Sequence, residues 1–528
     1  MTKYASLVST VATPQNQPII GKKQTKNNAG GYVFKVDCWE RLNRFLILGS
    51  DKGSFYVNAQ KLTRDAADSV LKCASKDLGR TIETICQISE TGRAPKNDPA
   101  IFALALLCSN AEYKSAALNA MHRVCRTGTH LFQFLETLKS FSKLGGETVK
   151  RAISNWYLDK TPEQMAYQVT KYQNRSGWSH KDAISISHPK FEGAKQDIAA
   201  WLFNKEMSTV YRDELKYIYG LEAAKNASTS KEIVQIIQKY DLVRECVPNQ
   251  FLNSPEVWES LLEKMPMTAM VRNLGKMSQV GLLKPMSKAS QKIVGGLTNR
   301  EWIKKSRIHP VQILLALKTY ERGRGFKGNL SWNPVPQVVD ALDDAFYLAF
   351  DNVEPTNKRW YLGVDVSGSM GSPTTSDMIS CAEASAAMAL LTAKTESQYY
   401  IKGFSHKLVD LGISAKDKLN TAINKVKDRN FGGTDCSLPM IDALNQGIEA
   451  DVFVVYTDNE TWAGNMHPFQ ALQKYRDKMG IDAKLIVCAM QYSRHTIADP
   501  NDPGMLDVVG FDASVPVVMS DFVTSNGG

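Results

Sequence analysis

The chain has 528 residues, 43% of them hydrophobic and 22% charged, which excludes wholesale disorder and leaves room for two or three hydrophobic cores. Its net charge of +10 is unevenly spread. From Asn357 onward there are 15 basic against 20 acidic groups, whereas the first 356 residues carry 49 against 34, so all the excess positive charge lies in the N-terminal two thirds. A basic region of that size points to a polyanionic partner.

The nine cysteines (Cys38, Cys73, Cys86, Cys108, Cys125, Cys246, Cys381, Cys436, Cys488) are odd in number, scattered and never spaced CxxC. That pattern argues against a disulfide framework or a zinc site and for buried thiols in a reducing compartment. The N-terminus MTKYASLVSTVATPQNQ has no apolar signal core, and no window approaches 18 uninterrupted apolar residues. A cytoplasmic protein with no membrane association is expected.

In chain order, the polar first 30 residues read as an irregular arm, and 1–25 are set apart as such. From about 32 to 350 the pattern is repeatedly helical. Leu131, Phe134, Leu135, Leu138 and Phe141 form one apolar stripe at i, i+3, i+4, i+7 and i+10. Ser254-Pro255-Glu256 reads as an N-cap hydroxyl with proline at the first helical position, followed by the buried face Trp258, Leu261, Leu262 and Met265. Further helical stretches are 100–110, 150–172, 231–241, 311–322 and 335–350. Many helices in series with almost no strand pattern suggest stacked helical hairpins of a degenerate HEAT-like kind. After Val353-Glu354-Pro355-Thr356-Asn357 the rhythm changes. Strands are predicted at 359–364, 398–404, 451–457 and 484–490, and helices at 376–394, 416–427, 437–449 and 466–479. This alternation over 357–528 predicts a doubly wound α/β domain.

The first of those strands runs into GVDVSGSM (363–370). Ligands of open α/β sheets sit at strand carboxyl ends, so Asp365 is placed for a site. A nucleophile elbow needs Gly-x-Ser-x-Gly, which Ser367 lacks, and neither His406 nor His467 is singled out as its partner. A hard cation, most simply Mg²⁺, fits better, because Ser367 and Ser369 offer neutral oxygens and Asp365 supplies charge. Two more strand-end loops bring matching oxygens: Thr434 after the glycine turn Phe431-Gly432-Gly433, and Asp458 in Thr457-Asp458-Asn459-Glu460. Together these loops resemble a von Willebrand factor A domain with a metal-ion-dependent adhesion site. The resemblance gives Asp365, Ser367, Ser369, Thr434 and Asp458 the family's five metal positions, in a family that binds partners through the metal and usually does no chemistry.

Three stretches of the basic region, TKYQNRSGWSHKDAISISHPK (170–190), MPMTAMVRNLGKM (265–277) and RIHPVQILLALKTYERGRG (307–325), resemble the TROVE module of the Ro ribonucleoprotein autoantigen family. A GVDVSGSM-bearing A domain after that module is the family's arrangement, and the chain resembles a bacterial-type Ro homologue. The resemblance implies an all-α ring of HEAT-like repeats over 26–356, closed by the α/β A domain at 357–528. It also implies small Y RNAs bound on the basic outer surface and single-stranded 3′ ends of misfolded or decaying non-coding RNAs in a central hole. The implied role is RNA quality control, chaperoning and stress response without catalysis, by a monomer whose A domain can recruit an exoribonuclease or other protein.

Lys171 and Arg175 read as i, i+4 neighbours on one helix face with no carboxylate beside them, a face that can neutralise phosphates. By position in the motif, Lys171, Arg175 and His188 match family residues implicated in Y RNA binding. Trp178 reads as core before it reads as a stacking platform. His180, beside Ser179, is a candidate for RNA contact and equally for a helix cap, while His122 and His309 read as structural. Lys150 and Arg151 before Trp156-Tyr157, Arg272 and Lys276 in one helix, and Arg322 at a helix end are candidates for contacting single strands. The alternative function is a metal-dependent protein-interaction scaffold acting through the A domain, with the helical part contacting protein. No GxxxxGK[ST], no HExxH and no paired catalytic carboxylates speak for an enzyme.

Overall fold

The computed structural model describes residues 24–26, 32–34, 38–49, 54–56, 62, 67–91, 96–141, 144, 146–208, 210–325, 329–374, 379–427, 434–458, 466–490, 498 and 502–524. They form two compact units, one from 1–69, 303–319 and 342–528, the other from 70–302 and 320–341. Packing and chain order therefore divide the molecule differently. All nine cysteines are free, eight of them buried.

In the first unit, β1 (Gln24–Lys26) pairs antiparallel with β2 (Tyr32–Phe34), so a small hairpin stands at the end of the predicted arm; residues 1–23 lie outside the described residues. The strand β3 (Ser54–Tyr56) joins the large sheet considered below.

The second unit is helical, as its periodicity predicts. The stripe Leu131, Phe134, Leu135 and Leu138 is buried in the helix Gly128–Phe141, with Phe141 at its margin against Phe102, edge to face at 5.3 Å. Every residue from Pro99 to Cys108 is buried in Asp98–Cys108, a fully enclosed helix. The stretch 150–172 is two helices and not one. Thr161 caps the second, Pro162–Lys171, through a capping box with Gln164, and Pro162 stands at its first turn. Ser254 precedes the helix Pro255–Leu262 as predicted, but its hydroxyl donates to Glu256 at 3.3 Å and caps no backbone amide. Within 170–190 the helix stops at Lys171. A two-stranded hairpin follows, β4 (Asn174–Arg175) with β5 (Trp178–Ser179), whose turn holds Ser176 at φ 53° and Gly177 at φ 77°.

The remaining strands are β6 (Arg359–Asp365), β7 (Gln398–Phe404), β8 (Leu408–Val409), β9 (Val452–Thr457), β10 (Lys484–Ala489) and β11 (Met505–Val509). With β3 they make a seven-stranded sheet in the order β3-β11-β10-β9-β6-β7-β8, parallel throughout except for β8. The four predicted strands are present within one residue at each end. The sequence β9 reads Val-Phe-Val-Val-Tyr-Thr and is buried at every position, which is how a parallel strand covered on both faces should read. Helices Cys381–Thr395, Leu419–Val426, Leu438–Gln446 and Pro468–Met479 alternate with the strands. Ser380 and Glu383 form a capping box at the first of these. Gly363 in β6 lets the helix Leu438–Gln446 lie close, since a Cβ there would stand 2.5 Å from Pro439. The strand β11 and the helix Val515–Thr524 are not among the predicted elements.

Candidate functional site

Strand β6 lies between β9 and β7, so the chain leaves it first to one side and later to the other. That is the topological switch point of the sheet, and Asp365 is the last residue of β6. The fully buried Asp365 carboxylate accepts a hydrogen bond from the Ser367 amide on Oδ1 (2.9 Å) and from the Thr457 hydroxyl, at the end of β9, on Oδ2 (3.0 Å). Burial lifts its pKa to about 6; the Ser367 bonds pull it down, and the nearby Asp458 carboxylate pushes it up. Ser367 and Ser369 place their hydroxyl oxygens 3.1 Å apart. Thr434 is buried beside Asp435, whose amide donates to the Ser405 carbonyl just past β7. Asp435 in turn accepts from the amide and hydroxyl of Ser437.

These residues fit a hard cation. Neighbouring ligands of an octahedral Mg²⁺ with bonds of about 2.1 Å stand roughly 3 Å apart, close to the separation of the two serine oxygens. The two carboxylates Asp365 and Asp458 repel each other at the sheet end, a cost that a cation removes. Among the described residues no three His, Cys, Asp or Glu side chains gather as metal ligands, so hydroxyls must supply part of any donor set here. The structure brings Asp365, Ser367, Ser369 and Asp458 to one sheet end, with Thr434 on the loop over the neighbouring strand. Phe431–Gly433, Asn459 and Glu460 lie outside the described residues.

The helical unit holds the basic candidates. Lys171 and Arg175 do not share a helix face, contrary to the sequence reading, because the helix ends at Lys171, with Tyr172 leaving helical geometry, and Arg175 falls on the strand β4. Lys171 is half-buried and donates to the Tyr167 hydroxyl at 2.6 Å, with its ammonium over the Tyr167 and Tyr172 rings. Burial works against its charge, yet the Tyr167 hydroxyl and the phenols around it hold its pKa above the ordinary value. Arg175 is exposed on the hairpin. His188 is exposed at φ 48°, ending the helix His180–Ser187 in the left-handed conformation before Pro189. Trp178 is buried, its indole donating to Glu136 at 2.8 Å, as the core reading predicts.

His180 is corrected outright. It is 1% exposed, packs edge to face on Phe132 and Tyr157, and shares a 2.8 Å hydrogen bond with the Tyr157 hydroxyl. Burial drives its pKa down to about 4, so it is neutral core and cannot meet RNA at the surface. The cap it was weighed for comes instead from Ser179, in a capping box with Asp182. His309 is also pushed down to about 4 by burial, and its Nδ1 accepts from the Val311 amide at the helix start, the structural role predicted.

Lys150, half-buried, and Arg151, exposed, stand on Glu147–Leu158, whose other face buries Trp156 and Tyr157. Arg272 is exposed on Met267–Gln279, whereas Lys276 bonds Asn253 and Gln279 and has its pKa lowered by burial and by Arg244. Arg322 is exposed just past the helix Pro310–Glu321. One basic residue the sequence reading passed over is Lys160. Its ammonium lies 3.4 Å from the centre of the Trp156 ring and donates to the Trp156 carbonyl, and burial lowers its pKa to about 8.

A family model described as the TROVE domain matches residues 25–242 and 236–319, and one described as the Ro60 vWA domain matches 359–523. A Caenorhabditis elegans protein named RNA-binding protein RO60 is 37% identical over 97% of this chain and 92% of its own length. A Deinococcus radiodurans protein of the same name is 39% identical over 96% of this chain and 97% of its own. Nematode and bacterial relatives thus stand at nearly equal identity. The crystal structure of the Deinococcus radiodurans RO (RSR) protein superposes with a TM-score of 0.87 at 38% identity, covering 92% of this chain and 99% of that one. Among the described residues, no helix is long and apolar enough to cross a membrane.

Proposed function

The chain belongs to the Ro family, with a TROVE domain followed by a Ro60 vWA domain, and from that premise we propose that it binds RNA through its basic helical unit without catalysing a reaction on it. The proposed partners are small Y RNAs, which it holds as a ribonucleoprotein, and the single-stranded 3′ ends of misfolded or decaying non-coding RNAs. The observation that carries the reading is the cluster of cationic and imidazole groups at chain reversals: Lys171 at a helix end, Arg175 on the hairpin after it, and His188 at the next helix end. Arg175 and His188 are exposed at their turns, where a phosphate backbone can reach them, and Lys171 stands half-buried at the helix end before them. Filter binding of a structured RNA with a single-stranded tail tests it. The double variant Lys171→Ala/Arg175→Ala should lose roughly 10–100-fold in affinity, and its salt dependence should shallow by about two phosphate contacts. Equal affinity and equal salt slope in wild type and variant would refute the reading.

A second activity of the same molecule is favoured by the mutual repulsion of Asp365 and Asp458 at a sheet end that also carries two serine hydroxyls 3.1 Å apart. Asp365, Ser367, Ser369, Thr434 and Asp458 would hold a divalent cation, Mg²⁺ by donor type. When bound, that cation supplies an electrophilic position for an acidic side chain of a protein partner. The chain's own part is to fix the oxygens: Thr457 and the Ser367 amide lock the Asp365 carboxylate, and the buried floor keeps competing water away. An exoribonuclease is a partner consistent with RNA decay.

A further inference from the structure

Between the short helices Lys114–Asn119 and Met121–Val124 on one side and Glu147–Leu158 on the other lies a groove of about 290 Å³, wholly within the helical unit. Its floor is apolar, built from Leu118, Ala152 and the deeply buried Trp156. Its rims are polar: Asn119 and His122 stand on one side, Arg151 and Asn155 one turn apart on the other. Among the described residues, none of these four side chains makes a hydrogen bond within the protein, so all four are available to a ligand. Asp159, two turns beyond Arg151, closes the far end with an acceptor.

Resting on the RNA reading above, we propose that this groove is a subsite for one unstacked nucleotide of a single strand, with its base edge read by Asn119, His122 and Asn155 and its phosphate held by Arg151. The volume is at the small end of ligand pockets, suited to one base with its sugar and too small for a duplex. Amide and imidazole groups present donors and acceptors together, the pattern that matches the exposed edge of an unpaired base. A single permanent cation, with a carboxylate at the far end of the groove, disfavours a polyphosphate ligand, and polar rims disfavour an apolar one. A paired base offers its edge to its partner strand and cannot enter, so the subsite selects single strands.

The test uses the full chain and labelled single-stranded homopolymers of adenylate, cytidylate and uridylate, about ten nucleotides long, in fluorescence anisotropy at about 0.1 M salt. Wild type should rank the three strands apart by about threefold or more. Asn119→Ala/Asn155→Ala should lose about tenfold in single-strand affinity, together with the ranking, and keep its salt slope, because no cation is removed. Ala152→Met, which fills the groove from its floor, should act in the same direction, and circular dichroism of both variants should match wild type. Wild-type affinities and ranking in both variants overturn the subsite while leaving the RNA reading intact, the result also expected if the groove takes a peptide side chain. A wild type that binds none of the strands or structured RNAs overturns the RNA reading, and the subsite with it.

Discussion

The two candidate regions solve opposite electrostatic problems. At the end of β6 the charges are carboxylates held out of water, Asp365 fixed by hydrogen bonds from the Ser367 amide and the Thr457 hydroxyl, and its repulsion with Asp458 is what a cation would relieve. Around 171–188 the charges are cationic or imidazole groups placed at a helix end, a hairpin and a left-handed cap, with Arg175 and His188 open to solvent. The first is preorganised by burial and suits a small ion. The second is preorganised by backbone turns and suits a long polyanion whose contacts are many and individually weak.

The largest effect that sharpens this contrast is acid sensitivity of the helical unit. The pKa of His180 is about 4 in the fold against an ordinary 6.5, so protonation favours the unfolded chain. Stability contributed by its neutral form is complete above about pH 6.5 and falls as the pH drops towards 4, by up to about 3 kcal/mol. Urea unfolding followed from pH 7 to 4.5 should show the decline, and His309 adds to it in the same direction. A flat profile over that window would mean that His180 is not the buried neutral group described. Next comes Asp365→Ala. Mg²⁺ at about a hundred times its dissociation constant should stabilise wild type by about 2.7 kcal/mol and the variant not at all, read by thermal shift. An equal shift in both proteins would break the assignment of charge to this sheet end. The smallest effect is Gly177→Ala. A Cβ there meets no neighbouring atom within 4 Å, so the cost is the left-handed backbone alone, about 1 kcal/mol. Because that turn presents Arg175, affinity for structured RNA should fall by a few-fold; unchanged affinity would show that the hairpin does not orient it.

The sheet and its site were legible because they are local in sequence. Strands of continuous Val, Ile, Phe and Tyr announce parallel burial, and the motif at the end of β6 carries three candidate oxygen donors, Asp365, Ser367 and Ser369, within five residues. The strand β11 was not read, since Asp507 interrupts its apolar run and its pairing depends on β10. Nor could β3 be read, because three residues with no periodicity become a strand only through a partner some 450 positions away. In the helical unit, the break at Thr161-Pro162 was written in the sequence as a capping box and was overrun by the longer apolar rhythm. The Ser176-Gly177 turn just after Arg175 was likewise present as a dipeptide signal. His180 was different in kind. Its burial comes from Phe132, Trp156 and Tyr157 on two other helices, and no local pattern reports that.

The parallel pairing of Ser54–Tyr56 with Asp507–Val509 sets an order of events during synthesis. The segment that forms β3 is made some 450 residues before the strand it pairs with, so over that stretch of translation it has no partner. Closure of that edge of the sheet therefore waits until β11 has been made. A fragment beginning at 357 carries six of the seven strands and leaves the backbone of β11 as a bare edge, the kind of edge that pairs with other chains. Cutting the gene at the apparent domain boundary should therefore yield a sticky product, which supplying the first 69 residues in trans ought to quiet.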